Sequence, residues 1–105
     1  MTMDGTRVAT VLHALSDPGR IRLLTHLMEG EHRVRDLTEH LHLAQSTVSA
    51  HLACLRDCGL VTSRPEGRAS WYSIVAPDEV TTLLDAATSL AARVDGDATH
   101  AHEGA

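Results

Sequence analysis

The chain has 105 residues, which fits one domain, and with one Trp, one Tyr and no Phe its core must consist of Leu, Val, Ile and Ala. Such a core favours helices over a β-sandwich or barrel, and no stretch approaches the roughly 20 apolar residues of a membrane span. The net charge is −5, but residues 33–75 carry five arginines against four acidic residues, so a weakly basic centre lies between acidic ends.

Two helices are predicted before residue 30. Apolar residues recur every three or four positions from Val8 to Leu15, which is the period of an amphipathic helix. The second helix is expected to start where Asp17 provides an N-cap and Pro18 fits the first helical position. Its apolar stripe ends before Gly30, a residue type common at helix C-termini.

The segment after Gly30 predicts a helix-turn-helix. A short helix is expected from Val34 to Leu41, followed by a tight connection over residues 42–45. Ser46 or a neighbour would cap a fourth helix, which ends at Gly59. Two helices joined by a turn of three or four residues form the helix-turn-helix of DNA-binding proteins.

A β-hairpin and a last helix complete the predicted order. Residues 60–64 and 68–75 are typical of strands, and the turn residues Pro65-Glu66-Gly67 lie between them. Pro77 opens a helix whose apolar stripe consists of Val80, Leu83, Leu84, Ala87, Leu90 and Ala91. The fold class is therefore mainly α with a β-hairpin, in the order α-α-α-α-β-β-α, which is a winged helix-turn-helix. We expect a DNA-binding and dimerisation domain over residues 1–93 and a flexible, His-containing tail over residues 94–105.

Short polar residues begin the predicted fourth helix, as the approach of a recognition helix to the major groove requires. The candidates for DNA contact on this helix are Gln45, Ser46, Thr47, Ser49, Ala50 and His51. Arg56 and the hairpin arginines Arg64 and Arg68 are expected at backbone phosphates. Any one serine can instead serve only as a helix cap, and His51 can equally lie solvated on the helix.

Three segments resemble the ArsR/SmtB family of metal-responsive repressors. They are LSDPGRIRLLTHL, DLTEHLHLAQSTVSAHLACLRDCGLV and EGRASWYSI, within residues 8–90. The resemblance implies a homodimer joined through the first and last helices, which represses a promoter on double-stranded operator DNA and leaves it when an effector binds. The run HLACLRDCGLV is similar to the CmtR-like cadmium- and lead-sensing branch, in which a C-terminal cysteine, absent here, completes the site.

Two other metal sites that the resemblance implies lack their ligands in this chain. The third-helix site would need cysteines near residues 31–37, where the chain has Arg33 and Arg35. The positions that match the last-helix site are Ala76, Asp78, Ser89 and Ala92.

Cys54 and Cys58 remain as candidate metal ligands. Residues 1–10 lack the pattern of a secretory signal, so we expect a cytoplasmic protein with reduced thiols. Positions four apart share a helical face, so two thiolates here can hold one soft ion. We expect Asp97, His100 or His102 to complete a site for a divalent effector such as Cd²⁺, Pb²⁺ or Zn²⁺. The other histidines are expected to lie on the surface or to make local contacts; they are His13, His26, His32, His40 and His42. The same holds for His51 if it does not contact DNA.

Other interpretations stay open at this stage. The two thiols can be small core residues, or a redox- or persulfide-responsive pair, although a disulfide between positions one turn apart fits a regular helix poorly. The acidic net charge also fits a winged helix that binds a protein rather than DNA. An enzyme is not expected, because the sequence shows no nucleophile elbow and no Gly-rich phosphate loop.

Overall fold

The computed structural model describes the backbone of residues 4–104 and the side chains of residues 4–95. The elements in chain order are α1 (Gly5–Ala14), α2 (Pro18–Leu27), β1 (His32–Arg33), α3 (Val34–Leu41), α4 (Gln45–Asp57), β2 (Val61–Glu66), β3 (Ala69–Ile74) and α5 (Pro77–Gly104). The chain divides into one compact unit up to Val75 and a second from Ala76 onward.

The first unit has the winged helix-turn-helix architecture that the sequence predicts. Helices α3 and α4 form the helix-turn-helix, and β2 and β3 pair antiparallel as the wing, with Val61 opposite Ile74 and Glu66 opposite Ala69. Gly67 has φ 62° at the hairpin tip, a conformation that glycine adopts without strain. The sequence analysis missed β1, which adds a third strand to the sheet by pairing with β3.

Local chemistry explains where α2 and α4 begin. The Asp17 side chain accepts a hydrogen bond from the backbone N–H of Arg20 at 3.0 Å, and Pro18 occupies the first turn, as expected. At α4 the expected cap by Ser46 is not formed, because Ala44 occupies the N-cap position and its methyl group cannot accept a hydrogen bond. Ser46 is left inside the first helical turn with its side chain exposed.

A core of aliphatic side chains orients α4 in the first unit. Helix α4 contacts α2, α3 and β2. Its Val48, Leu52 and Leu55 are at most 1% exposed, so one side of α4 is fixed against these elements and the other side faces outward. The core residues of the neighbouring elements are Leu23, Leu24, Leu27, Leu37, Leu41, Val61 and Ile74.

The second unit consists of α5. The domain boundary predicted after residue 93 lies inside this helix, and the predicted tail overlaps its last turns. The side chains of Asp97, His100 and His102 lie outside the described residues. Within the described part of the chain, no helix is both long and apolar enough to cross a membrane.

Candidate nucleic-acid interface and metal sites

The N-terminal half of α4 exposes a short polar surface, which we call the α4 face. Its exposed residues are Gln45, Ser46, Ser49 and Ala50, and Thr47 at its edge is half-buried. Because Val48 and Leu52 anchor the opposite side in the core, these short side chains are presented on a fixed helix. The backbone of such a helix can approach base edges closely.

His51 points toward α2 rather than lying with the α4 face. Its Nε2 is 3.5 Å from Oδ2 of Asp17, and its side chain is 16% exposed. A Cβ placed on Gly19 would lie 2.8 Å from the same nitrogen, so His51 packs directly over the start of α2. The hydrogen bond from the Arg20 backbone, helped by the charges of His51 and Arg20, lowers the pKa of Asp17. The structure thus gives His51 an intramolecular partner, which explains why sequence reasoning alone could not place it.

The two wing arginines differ in their surroundings. The guanidinium of Arg64 donates to Glu31 at 2.8 and 3.0 Å and to Glu66 at 2.8 Å. These hydrogen bonds raise the pKa of Arg64. Arg68, at the wing tip, is exposed. The charge of Arg64 is therefore already compensated within the protein, whereas Arg68 presents its charge outward.

Two further arginines extend the basic surface at the base of the wing. Arg33, Arg35 and Arg68 line one open pocket of about 330 Å³. Arg33 also donates to both oxygens of Asp36 at 3.1 and 3.0 Å and lies 5.0 Å from the Trp71 ring centroid. Arg35 is exposed. It was not among the predicted DNA contacts, although its position in the weakly basic centre of the sequence could have suggested such a contact.

Arg56 lies at the C-terminal end of α4. Its Nη1 donates to the Ser63 hydroxyl at 3.3 Å, which holds the side chain beside β2. The guanidinium remains exposed at this junction of recognition helix and wing, where it can reach a phosphate.

Cys54 on α4 and Cys58 at the C-cap of α4 are free, half-buried thiols one turn apart. Both line an open pocket of about 330 Å³, together with Asp57 and with Thr10, His13 and Ala14 of α1. The Cys58 thiol donates to the carbonyl of Leu55 at 3.2 Å. This thiol pocket therefore faces α1 rather than the surface formed by the first turns of α4. Two thiols on one wall are donors suited to a soft cation, but among the described residues they do not form a group of three close ligand atoms with His13 or Asp57.

Three histidines that the sequence analysis treated as scattered come together in the structure. His26 of α2, His32 of β1 and His40 of α3 each place one ring nitrogen within 4.8 Å of the other two. We refer to them as the histidine cluster. Their spacing in the chain gave no signal of this, because the three side chains meet only when three elements pack.

The comparisons with known proteins agree with this geometry. The sequence model described as "Bacterial regulatory protein, arsR family" matches residues 17–63. A "Probable mercury resistance operon repressor" of Streptomyces lividans is 40% identical over 84 residues, covering 80% of this chain and 66% of that protein. The HTH-type transcriptional regulator CmtR of Mycobacterium tuberculosis is 43% identical over 72 residues, covering 69% of this chain and 61% of that protein.

The chain therefore spans less than two thirds of the length of these two relatives. A solved structure with the same fold is the homodimeric winged helix-turn-helix DNA-binding domain of a possible ArsR-family transcriptional regulator from Mycobacterium bovis. Its TM-score is 0.73 at 30% identity, and the match covers 80% of each chain.

Proposed function

Because this chain belongs to the ArsR family of bacterial regulatory proteins, we propose that it is a homodimeric repressor that binds operator DNA and is released by a metal ion. One observation supports the DNA-binding part of the proposal: the fixed, exposed α4 face is accompanied by a wing whose tip exposes the positive charge of Arg68. The metal-sensing part is supported by the thiol pocket and by the similarity to a mercury resistance repressor.

In the proposed complex, α4 enters the major groove. Gln45 can offer both amide groups to an adenine, and the hydroxyls of Ser46, Thr47 and Ser49 can bond base edges or phosphates. Arg56 and Arg68 would contact the backbone on either side of the groove. His51 acts as a positioning residue, since its contact with Asp17 fixes α4 against α2.

The proposed dimer uses apolar side chains that each unit leaves exposed. Val8 and Leu12 of α1 are 43% and 50% exposed, and Leu90 and Val94 of α5 are 61% and 52% exposed. Large aliphatic groups on two helices of so small a chain are suited to burial against a second copy. The homodimeric neighbour structure supports the formation of a dimer.

The effector in this proposal binds in the thiol pocket. Cys54 and Cys58 supply two thiolates, which Hg²⁺ can bind alone, whereas Cd²⁺, Pb²⁺ or Zn²⁺ would need further ligands. Asp97, His100 and His102 remain the proposed ligands from the C-terminal region, and His13 is a second source because it lines the same pocket. The two cysteines of these 105 residues therefore combine with nitrogen or oxygen ligands in the proposed site.

The position of the thiol pocket suggests how a metal would release DNA. The pocket lies between α1, which belongs to the proposed dimer interface, and α4, which belongs to the proposed DNA interface. A cation bound to both helices would favour one orientation of α4 relative to α1. By linkage, the metal must then bind the free dimer more tightly than the DNA-bound dimer.

A metal titration of the protein–DNA complex tests this proposal. Fluorescence anisotropy would follow a labelled fragment from upstream of the protein's own gene while Cd²⁺ is added. The wild type should release DNA, and a Cys54→Ser/Cys58→Ser variant should bind DNA equally well but stay bound. Ala53→Ser is a matched control, since it adds a hydroxyl at an exposed neighbouring position on α4. Metal-induced release that is unchanged in the double variant would overturn the thiol-pocket proposal, and an absence of salt-sensitive DNA binding would overturn the repressor proposal.

A further inference from the structure

The histidine cluster holds three imidazoles in mutual contact. The ring centroids of His26 and His32 are 4.6 Å apart, those of His26 and His40 are 4.8 Å apart, and those of His32 and His40 are 5.7 Å apart. Nε2 of His26 and Nδ1 of His40 are 2.7 Å apart, which is a hydrogen bond that requires one hydrogen between them. The cluster is thus a set of imidazoles in mutual contact rather than three independent surface histidines.

Backbone and carboxylate groups fix the ring nitrogens of two members. The Nδ1 of His32 is 2.7 Å from the carbonyl oxygen of Gly30, and a carbonyl can only accept, so this nitrogen carries the hydrogen. Nδ1 of His26 is 3.7 Å from a carboxylate oxygen of Glu29, which likewise favours a hydrogen on that nitrogen. The Nε2 lone pair of His32 then has no assigned donor, whereas that of His26 accepts the hydrogen on Nδ1 of His40. Carbonyl and carboxylate partners on the far nitrogen are the usual support of a metal-bound histidine.

We propose that the histidine cluster is a binding site for a divalent transition-metal cation of the zinc class, separate from the thiol pocket. The three residues each offer one ring nitrogen, and the hydrogen bonds of the other nitrogens assign these as Nε2 of His26, Nε2 of His32 and Nδ1 of His40. A water molecule would take the fourth position of a tetrahedral site. Neutral imidazole is a good ligand for Zn²⁺, Ni²⁺, Co²⁺ and Cu²⁺.

The distances need only side-chain adjustments to reach this geometry. With Zn–N bonds of about 2.0–2.1 Å, two ligand nitrogens of a tetrahedral site lie about 3.3 Å apart. The His26–His40 pair would open from 2.7 Å, and the most distant pair would close from at most 4.8 Å. His40 is exposed and can rotate, while the half-buried His26 and His32 form the fixed part of the site. The hydrogen shared by His26 and His40 moves to Nε2 of His40 as the cation takes its place.

A cation at this site would join three elements of the winged helix. His26 belongs to α2, His40 belongs to the first helix of the helix-turn-helix, and His32 pairs with Tyr72 in the wing. The site therefore connects the base of the wing to α3, and its occupancy should stiffen the scaffold that carries α4. This inference does not depend on the proposed function, because it requires neither DNA nor the thiols.

The test uses the full chain with the other candidate ligands removed. In a Cys54→Ser/Cys58→Ser/His100→Gln/His102→Gln background, isothermal calorimetry with Zn²⁺ should still show one equivalent bound per chain. Adding His40→Gln should weaken this binding at least tenfold, whereas His13→Gln, an exposed histidine on α1, should not. Circular dichroism of the metal-free variants checks folding, and His40 is exposed, so its replacement should leave the fold intact.

Two further measurements separate this site from the others. Co²⁺ bound to the same background should give the visible bands of a tetrahedral nitrogen and oxygen site without thiolate charge transfer. In NMR spectra, Zn²⁺ should shift the ring signals of His26, His32 and His40 together. Failure of the background protein to bind Zn²⁺, or equal binding by the His40→Gln variant, would overturn the proposal. Either result would leave the thiol-pocket experiment unaffected.

Discussion

Replacing Arg68 by Ala is expected to weaken operator binding more than replacing Arg64 by Ala. In the structure Arg64 is held by Glu31 and Glu66 at 2.8 to 3.0 Å, so this group of three side chains already carries a net negative charge. Arg68 lies exposed at the wing tip. On approach to DNA, Arg68 can displace counterions at once, whereas Arg64 must first exchange its carboxylates for a phosphate.

The salt dependence of binding gives the size of the effect. Each phosphate contact contributes about 0.9 to the slope of log K against log salt concentration on duplex DNA. Loss of one Arg68 contact from each subunit of a dimer should lower the slope by about 1.8, so that raising salt from about 50 to about 200 mM costs the wild type about tenfold more affinity than the variant. Because Glu31 and Glu66 already compensate the charge of Arg64, Arg64→Ala should change the slope by less than half as much.

Anisotropy titrations of the operator fragment at four salt concentrations measure both slopes. Arg93→Ala, which removes an arginine of α5 in the second compact unit, serves as the control. The argument would be refuted if Arg64→Ala lowered the slope as much as Arg68→Ala, or if Arg68→Ala left it at the wild-type value.

Three predictions concern the scaffold behind the α4 face. Hydrogen bonds from the side chain and backbone of Arg33 lower the pKa of Asp36 to about 2, below its unfolded value, so Asp36 stabilises the fold above about pH 4 and loses that contribution as the pH falls toward 2. Asp36→Asn should therefore cost about 1–2 kcal/mol in urea denaturation at pH 7, and this difference should shrink at pH 3; a constant difference would contradict the assignment. Leu52 is 1% exposed, so Leu52→Ala should cost about 2–5 kcal/mol, and a thermal denaturation that shows less than 1 kcal/mol would mean the core relaxes into the space. Gly19→Ala would bring a methyl group to 2.8 Å from Nε2 of His51 and 3.0 Å from Oδ2 of Asp17, which should cost about 1–3 kcal/mol in the wild type. The cost should be smaller in a His51→Ala background, and equal costs in both backgrounds would show that residues 19 and 51 do not interact.

Sequence reasoning predicted the helices well because their signals are local. The cap and first-turn residues of α2, Asp17 and Pro18, stand next to the helix that they start, and the apolar period of α3 matches its observed bounds. Strand β1 was missed because two residues, His32 and Arg33, carry no period, and their strand conformation depends on pairing with Tyr72 and Trp71 far along the chain.

Sequence reasoning predicted which residues of α4 would be exposed, but it missed the contacts of the candidate site between residues that are far apart in sequence. The exposure of Gln45, Ser46 and Ser49 follows from the helical period of α4 alone. The compensation of Arg64 depends on Glu31, which is 33 residues away in sequence, and no spacing rule links the two. The Asp17 contact of His51 has the same origin, because it exists only when α2 and α4 pack.

The two groups of proposed metal ligands also differ in whether their residues are close in sequence. This difference affects how metal experiments should be interpreted. Cys54 and Cys58 share one helix and were found by spacing, whereas the histidine cluster draws on three elements and was found only in the structure. The thiols lie on α4 and the cluster reaches α3, so a cation at each site would act on a different helix of the helix-turn-helix. Soft ions such as Cd²⁺ prefer thiolates, and borderline ions such as Zn²⁺ accept imidazoles readily. A response of the wild type to Zn²⁺ therefore does not identify the thiol pocket as its source, and a response to Cd²⁺ that vanishes with the cysteines does.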